Sequence, residues 1–276
     1  MKLINGQKIS NKILAELKEK TKKLKIKPFL AVILIGKNPA SHLYVKIKEK
    51  RAKEINIGFK KYLLPEKTKQ SKIIGLITKL NNNPKITAIL VQLPLPKHLD
   101  TDKIISTIAP EKDADGIHPK HLKQLKRGQT PLILPATTGA IIEALKSVKI
   151  NLKNKSVAII GKSKIVGLPT YYYLKKHVRQ INIYDSQTKN LPEKCKQADI
   201  LIVAIGRPNF ITANYVKKNA IAIDVGINKL DGKTVGDVDF KSVKKKAAWV
   251  TPVPGGIGPI TVAMLLKNVI SLLKIK

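Results

Sequence analysis

Five apolar runs divide this chain: "FLAVILIG" (29–36), "ITAILVQL" (86–93), "SVAIIG" (156–161), "ADILIVAIG" (198–206) and "AIAIDVG" (220–226). The first is a continuous apolar run and reads as a strand buried on both faces, the second as another buried strand, and the other three as further strands. Segments of helical spacing lie between them. Residues 7–24 carry Ile9, Ile13, Leu14, Leu17, Thr21 and Leu24 at helical intervals, and 40–55, 68–81, 138–148, 164–177 and 260–273 also read as helices. Strands separated by helices pair in parallel through right-handed crossovers. "FKKYLL" (59–64), "INIYD" (181–185) and "AAWV" (247–250) add strands, and Asp231-Gly232 marks a hairpin. The fold class is therefore α/β with a mainly parallel sheet.

The pattern loosens over 119–138, where Pro119, Pro131 and Pro135 interrupt a basic stretch without a long period. A domain junction is expected there, between an N-terminal α/β domain over 1–120 and a second α/β domain over 121–259. At 276 residues the chain has ample core for two such domains. No apolar run approaches the ~18–20 residues of a membrane span, the N-terminus lacks a signal-type apolar region, and Cys195 stands alone. A cytoplasmic protein without a membrane partner is expected. The net charge of +35 points toward nucleic acid. However, arginine occurs only at 51, 127, 179 and 207, and the lysines are spread over nearly every helix rather than clustered with aromatics. A general lysine bias explains the charge better, and specific nucleic-acid binding is disfavoured.

"VAIIGKSKIVGLP" (157–169) is a strand, a turn containing Gly161 and Gly167, and a helix start. That is where a doubly wound domain seats a dinucleotide pyrophosphate. The spacing, G-x-S-x-x-x-G, is one residue longer than the usual fingerprint, and a tight turn without a ligand is the competing reading. Asp185, 24 residues after Gly161, suits the ribose hydroxyl of NAD, whereas Lys162 and Ser186 suit the 2′-phosphate of NADP.

Tyr44 and Lys48 stand four apart, on one helix face. A lysine of lowered pKa passes protons near neutrality, although most lysines so placed are surface residues. Gln92 ends a buried strand, where α/β sheets place ligand groups. In "PEKDADGIHP" (110–119), Asp113 and Asp115 offer carboxylates to paired N–H donors, or simply stabilise a turn. The five histidines lack metal-ligand spacing, and no metal is expected. "TPVPGGIGPITVAMLL" (251–266) sets three prolines and three glycines before a helix, a stiff and side-chain-poor loop able to bring backbone close to a flat ligand.

"YVKIK", "VQLPLP", "PEKDADGIHP", "GKSKIVGLP", "ADILIVAIG", "IDVGIN", "GDVDF" and "TPVPGGIGPITVAMLL", in this order over roughly residues 3–270, resemble the bifunctional methylenetetrahydrofolate dehydrogenase/methenyltetrahydrofolate cyclohydrolases. The resemblance implies a catalytic N-terminal domain over 1–120, a doubly wound, Rossmann-type NAD(P)-binding domain over 121–259, a cleft between them, a last helix (260–273) returning to the first domain, and a homodimer. The implied chemistry is NADP-dependent oxidation of 5,10-methylenetetrahydrofolate, then hydrolysis to 10-formyltetrahydrofolate. A monofunctional NAD(P)-dependent dehydrogenase and, more remotely, a basic nucleic-acid-binding protein are the alternatives. By motif position Lys48 resembles the catalytic lysine, Tyr44 the residue stacked near the folate ring, Gln92 the partner that orients Lys48 and keeps it neutral, and Asp115 the pterin anchor. Folate, polyglutamylated forms included, is implied at Tyr44, Val45, Lys46, Ile47 and Lys48, at Val91, Gln92 and Leu93, at Asp115, and at Pro252, Val253, Pro254, Gly255, Gly256, Ile257, Gly258, Pro259 and Ile260. NADP is implied at Gly161, Lys162, Ser163, Ser186 and Ile227, with NAD less favoured. The chain departs from the family's P-C-T-P-x-G at Ala136, Thr138 and Ala140, and from its common Arg and His at Lys162 and Asp185.

Overall fold

The strands and helices follow one another through the whole chain in a computed structural model that describes residues 1–273. In chain order the first half holds β1 (Lys2–Leu3), α1 (Gly6–Lys22), β2 (Phe29–Ile35), α2 (Pro39–Glu54), β3 (Gly58–Leu64), α3 (Gln70–Asn81), β4 (Ala88–Val91), α4 (Thr101–Thr107) and α5 (Pro119–Lys126). The second half holds α6 (Ala136–Ser147), β5 (Ser156–Ile160), α7 (Gly167–Leu174), β6 (Gln180–Tyr184), α8 (Leu191–Cys195), β7 (Ile200–Val203) and β8 (Ile221–Asp224). The hairpin β9 (Asn228–Leu230) and β10 (Lys233–Val235), α9 (Phe240–Val243), β11 (Trp249–Val250) and α10 (Ile257–Leu273) complete it.

The chain forms two compact units. One comprises residues 11–123, 131–136 and 262 onward; the other comprises 1–10, 124–130 and 137–261. In the first, β2 is the middle strand of a parallel sheet ordered β3-β2-β4. Leu30 to Leu34 are no more than 1% exposed, because β2 is covered on both faces. Ile33, Ile73, Ile77, Ile89, Ile104 and Ile108 form its aliphatic core, each side chain contributing about 1.5–3 kcal/mol on burial.

The second unit carries a parallel sheet ordered β1-β11-β8-β7-β5-β6. The chain leaves β5 to one side for β6, then crosses back to β7 on the other. The loops after β5 and β7 therefore flank a topological switch point, where such sheets bind ligands. Ile200–Val203 and Ile221–Asp224 are wholly buried, as a central parallel strand must be.

Some elements differ from the sequence reading. The stretch 119–138 is more regular than its prolines imply: Pro119 opens α5, where a missing N–H costs nothing, and Leu125 anchors that helix in the core. The last helix begins at Ile257, not at 260, because Pro259 fits within a first helical turn. Lys2 and Leu3 pair with Trp249 and Val250, so the extreme N-terminal residues join the later sheet. A two-residue strand has too little pattern to be read in advance.

Candidate active site

The helix that carries Tyr44 and Lys48 is set by its own start. Asn38 caps α2, its side chain accepting from Ser41 N at 3.0 Å, and Pro39 fixes the first turn. Lys48 thereby points inward and is only 7% exposed. Its Nζ donates to Gln92 Oε1 at 2.8 Å. Gln92 lies just past β4, with its backbone N on Ile33 O at 2.9 Å and its Nε2 on Leu93 O at 2.7 Å. Because the Leu93 carbonyl takes the amide nitrogen, the amide oxygen must face the lysine. Burial pushes the Lys48 pKa below the ordinary lysine value, and the nearby Asp115 carboxylate opposes that shift. The expected lowering thus stands on desolvation. The neighbouring charge that counts is negative.

Asp115 is half-buried, and burial raises its pKa while Lys48 lowers it. Asp113 builds its turn. That residue is 1% exposed; its Oδ1 accepts from Asp115 N at 3.2 Å and its Oδ2 from His118 N at 2.7 Å. Burial raises Asp113 to about 7. Ala114 N donates to Ile89 O at 3.1 Å, laying the turn beside β4 and so beside the strand that ends at Gln92. Gly116 has φ +71°, and a Cβ there would press on Leu134 O and Pro135 N at 2.8–2.9 Å. Asn268 of α10 donates to Ala114 O and Leu134 O, both at 3.0 Å. Of the two readings the sequence left open for Asp113, the turn stabiliser is the one its contacts match; nothing in the sequence pattern marked Asn268, which acts on backbone carbonyls.

Tyr44 is half-buried, and burial raises its phenol pKa. Val45 and Val91 are core residues, Leu93 is half-buried, and Lys46 and Ile47 are exposed. In the second unit, the Gly255 carbonyl ties the 252–260 stretch down: Gly6 N donates to Gly255 O at 2.9 Å. A Cβ on Gly6 would collide with the Gly256 carbonyl. Backbone packed on backbone therefore already requires glycine here. Gly255, at φ +99°, has open space beside its Cα. Gly256, Ile257 and Ile260 are buried, while Pro254 is exposed.

The nucleotide turn has the shape the spacing implied. Gly161 has φ +113° and packs on the Ala204 carbonyl, and a side chain on Gly167 would strike the Gly161 carbonyl. Ser163 Oγ accepts from Val166 N at 3.1 Å and Gly167 N at 3.4 Å at the start of α7. This side-chain-poor cradle at a helix N-terminus fits a dinucleotide. Lys162 and Asp185, which pointed to different nucleotides, form an ion pair at 2.7 Å. The amine bond is the main cause of a lowered Asp185 pKa. Ser186 and Ile227 are exposed. Ala136, Thr138 and Ala140 are buried, and Thr138 Oγ1 lies 3.1 Å from Thr170 Oγ1. Cys195 is fully buried, and burial pushes its thiol up to about 12.

Two sequence profiles of one family match the chain in succession. "Tetrahydrofolate dehydrogenase/cyclohydrolase, catalytic domain" matches residues 4–115, and "Tetrahydrofolate dehydrogenase/cyclohydrolase, NAD(P)-binding domain" matches 135–276. A "Bifunctional protein FolD" from a Nitratiruptor species is 46% identical over 278 residues, covering 99% of this chain and 98% of its own. The crystal structure of the bifunctional FolD dehydrogenase/cyclohydrolase of Campylobacter jejuni superposes with a TM-score of 0.95 at 44% identity, covering all of both chains. The Trypanosoma brucei enzyme, solved with NADP cofactor and inhibitor, superposes at 0.93 with 34% identity, covering 99% of this chain and 97% of its own.

Proposed function

The chain belongs to the tetrahydrofolate dehydrogenase/cyclohydrolase family, and on that premise we propose how its residues divide two successive reactions. The first oxidises 5,10-methylenetetrahydrofolate to the methenyl form; the second hydrolyses that cation to 10-formyltetrahydrofolate. NADP, when bound, supplies the hydride acceptor. Gly161, Ser163 and the start of α7 would hold its phosphates, Lys162 and Ser186 its 2′-phosphate, and Ile227 its nicotinamide half. The chain's task in the first step is placement, since hydride transfer needs close approach more than acid or base. The stretch 252–260 and Tyr44 would enclose the folate, and Asp115 would accept from the N–H groups of its pterin edge.

Lys48 serves the second step. Water adds to the methenyl carbon as the neutral amine takes one of its protons; that proton passes to the ring nitrogen as the carbon–nitrogen bond breaks, and the carbinol hydroxyl releases its remaining proton to solvent, leaving the formyl carbonyl. The observation that carries this reading is Lys48 buried, lowered in pKa and aimed by a Gln92 amide whose own orientation is fixed. Desolvation keeps the amine neutral for part of its cycle; Gln92 orients it. Absorbance of methenyltetrahydrofolate, followed with NADP and NAD in parallel, tests the scheme. Wild type should consume added methenyltetrahydrofolate and prefer NADP in forming it. Accumulation of the methenyl form without hydrolysis would favour the monofunctional alternative.

The same reading takes the 1–120 segment as the catalytic domain and 121–259 as the nucleotide domain, with α10 returning to the former. It also takes the protein as a cytoplasmic homodimer acting on folates, polyglutamylated forms included. β3 supports the dimer: it is an edge strand whose Leu63 is 54% exposed, as a surface awaiting a second copy would be. No helix among the described residues is long and apolar enough to cross a membrane.

A further inference from the structure

Of two shared motifs, "IDVGIN" and "GDVDF", only Ile227 has a part in the chemistry above. Each supplies a buried aspartate: Asp224 ends β8 at 4% exposure, and Asp237 follows β10 at 0%. The two interlock. A side chain on Gly236 would collide with the Asp224 carboxylate, and one on Gly226 with that of Asp237. Each acid therefore fills space left by a glycine of the other motif. Asp224 Oδ1 accepts from Gly226 N at 2.9 Å and Asp237 N at 3.0 Å, while its Oδ2 accepts from Val238 N at 2.9 Å.

Asp237 is held so that it can hold something else. Its Oδ2 accepts from Ile205 N at 2.7 Å and Gly206 N at 3.0 Å. Its Oδ1 accepts from Arg207 N and Asn228 Nδ2, both at 2.9 Å. Three consecutive backbone N–H groups closing on one carboxylate make an anion nest whose anion is the protein's own. The nested loop follows β7 at the switch point, and it forms the wall against which Gly161 packs: Ala204 O touches that glycine, and Ile205 Cγ2 would lie 3.4 Å from its Cβ. Asn228, the fourth donor, directly follows Ile227.

We propose that Asp237 is a positioning residue for NADP, fixing the 205–207 loop behind the nucleotide turn and the chain at Ile227–Asn228 in one geometry. This rests on the reading that NADP binds at the Gly161 turn. It predicts damage confined to the nucleotide, because hydrolysis of supplied methenyltetrahydrofolate needs none. In Asp237→Asn an amide N–H₂ must face two of the four donors, leaving them buried and unpaired. The KM for NADP should rise about tenfold or more, with hydrolysis kept within about twofold of wild type. An unchanged KM, or hydrolysis falling in step with NADP use, overturns the proposal, the latter because it marks a merely structural role. If Asp237→Asn does not yield folded protein, Asn228→Ala decides: removing one side-chain donor should raise the KM for NADP about two- to threefold, and no change overturns the proposal. Wild type is assayed first. If it makes no use of NADP, the parent reading fails; if it uses NADP and the variants match it, only the role of Asp237 fails.

Discussion

Lys48 and Lys162 are the same residue placed in opposite surroundings. Lys48 is 7% exposed, bonded to a neutral amide, and lowered in pKa by burial. Lys162 has a side chain 44% exposed and ion-paired to Asp185. Burial with a neutral partner makes an amine that gives and takes a proton. Exposure beside a carboxylate keeps a fixed charge that an anionic ligand can claim. In a chain with 53 Lys and Arg residues, residue type says little about role, and the partner says most.

The largest expected effect is at the buried amine. Lys48→Met should reduce hydrolysis of added methenyltetrahydrofolate by about 10²–10⁴-fold, the usual worth of a placed acid–base group. An unimpaired variant would remove Lys48 from the chemistry. Gln92→Ala should cost about tenfold, by freeing the amine from its aimed position. In wild type the hydrolysis rate should rise with pH as Lys48 loses its proton, with an apparent pKa below the ordinary lysine value. A profile flat across that range would show that another group moves the proton.

At the exposed lysine the effects are smaller. Lys162→Ala should weaken NADP about tenfold and leave NAD nearly unchanged, since only the 2′-phosphate needs the charge. Asp185→Asn should move preference the other way, a few-fold further toward NADP, because it releases Lys162 from a competing anion. Equal effects on both nucleotides would show that the pair is not at the 2′ position.

The smallest effect concerns stability. Asp113 has a folded-state pKa of about 7, above the ordinary carboxylate value. Its neutral form is the one favoured on folding, so that contribution is complete below the ordinary value and is lost as pH rises through about 7. Between about pH 5 and about pH 8 the melting temperature of wild type should fall relative to that of Asp113→Asn. A constant difference would mean that Asp113 is ionised throughout.

Features with a period or a fixed spacing were legible in the sequence. The buried strands, the Tyr44–Lys48 face, the turn at Gly161 and the hairpin at Asp231-Gly232 all follow from local pattern. What escaped depends on distant partners. Lys2–Leu3 become a strand only because Trp249–Val250 lie beside them, and α5 forms in a stretch that shows no long period. Asp237 holds backbone N–H groups about 30 residues away in the chain. No spacing rule connects a carboxylate to a main-chain donor at that range. "IDVGIN" and "GDVDF" were recognisable as motifs, but their reason, a glycine in each making room for the acid of the other, exists only in three dimensions.

A crystal structure with NADP and a folate analogue bound together would test the account most directly. The folate one-carbon position should lie about 3–3.5 Å from the nicotinamide C4, near enough for transfer, with Lys48 Nζ within one water of the same carbon. Nucleotide and folate bound in separate places, or a folate whose one-carbon position is remote from Lys48, would contradict it.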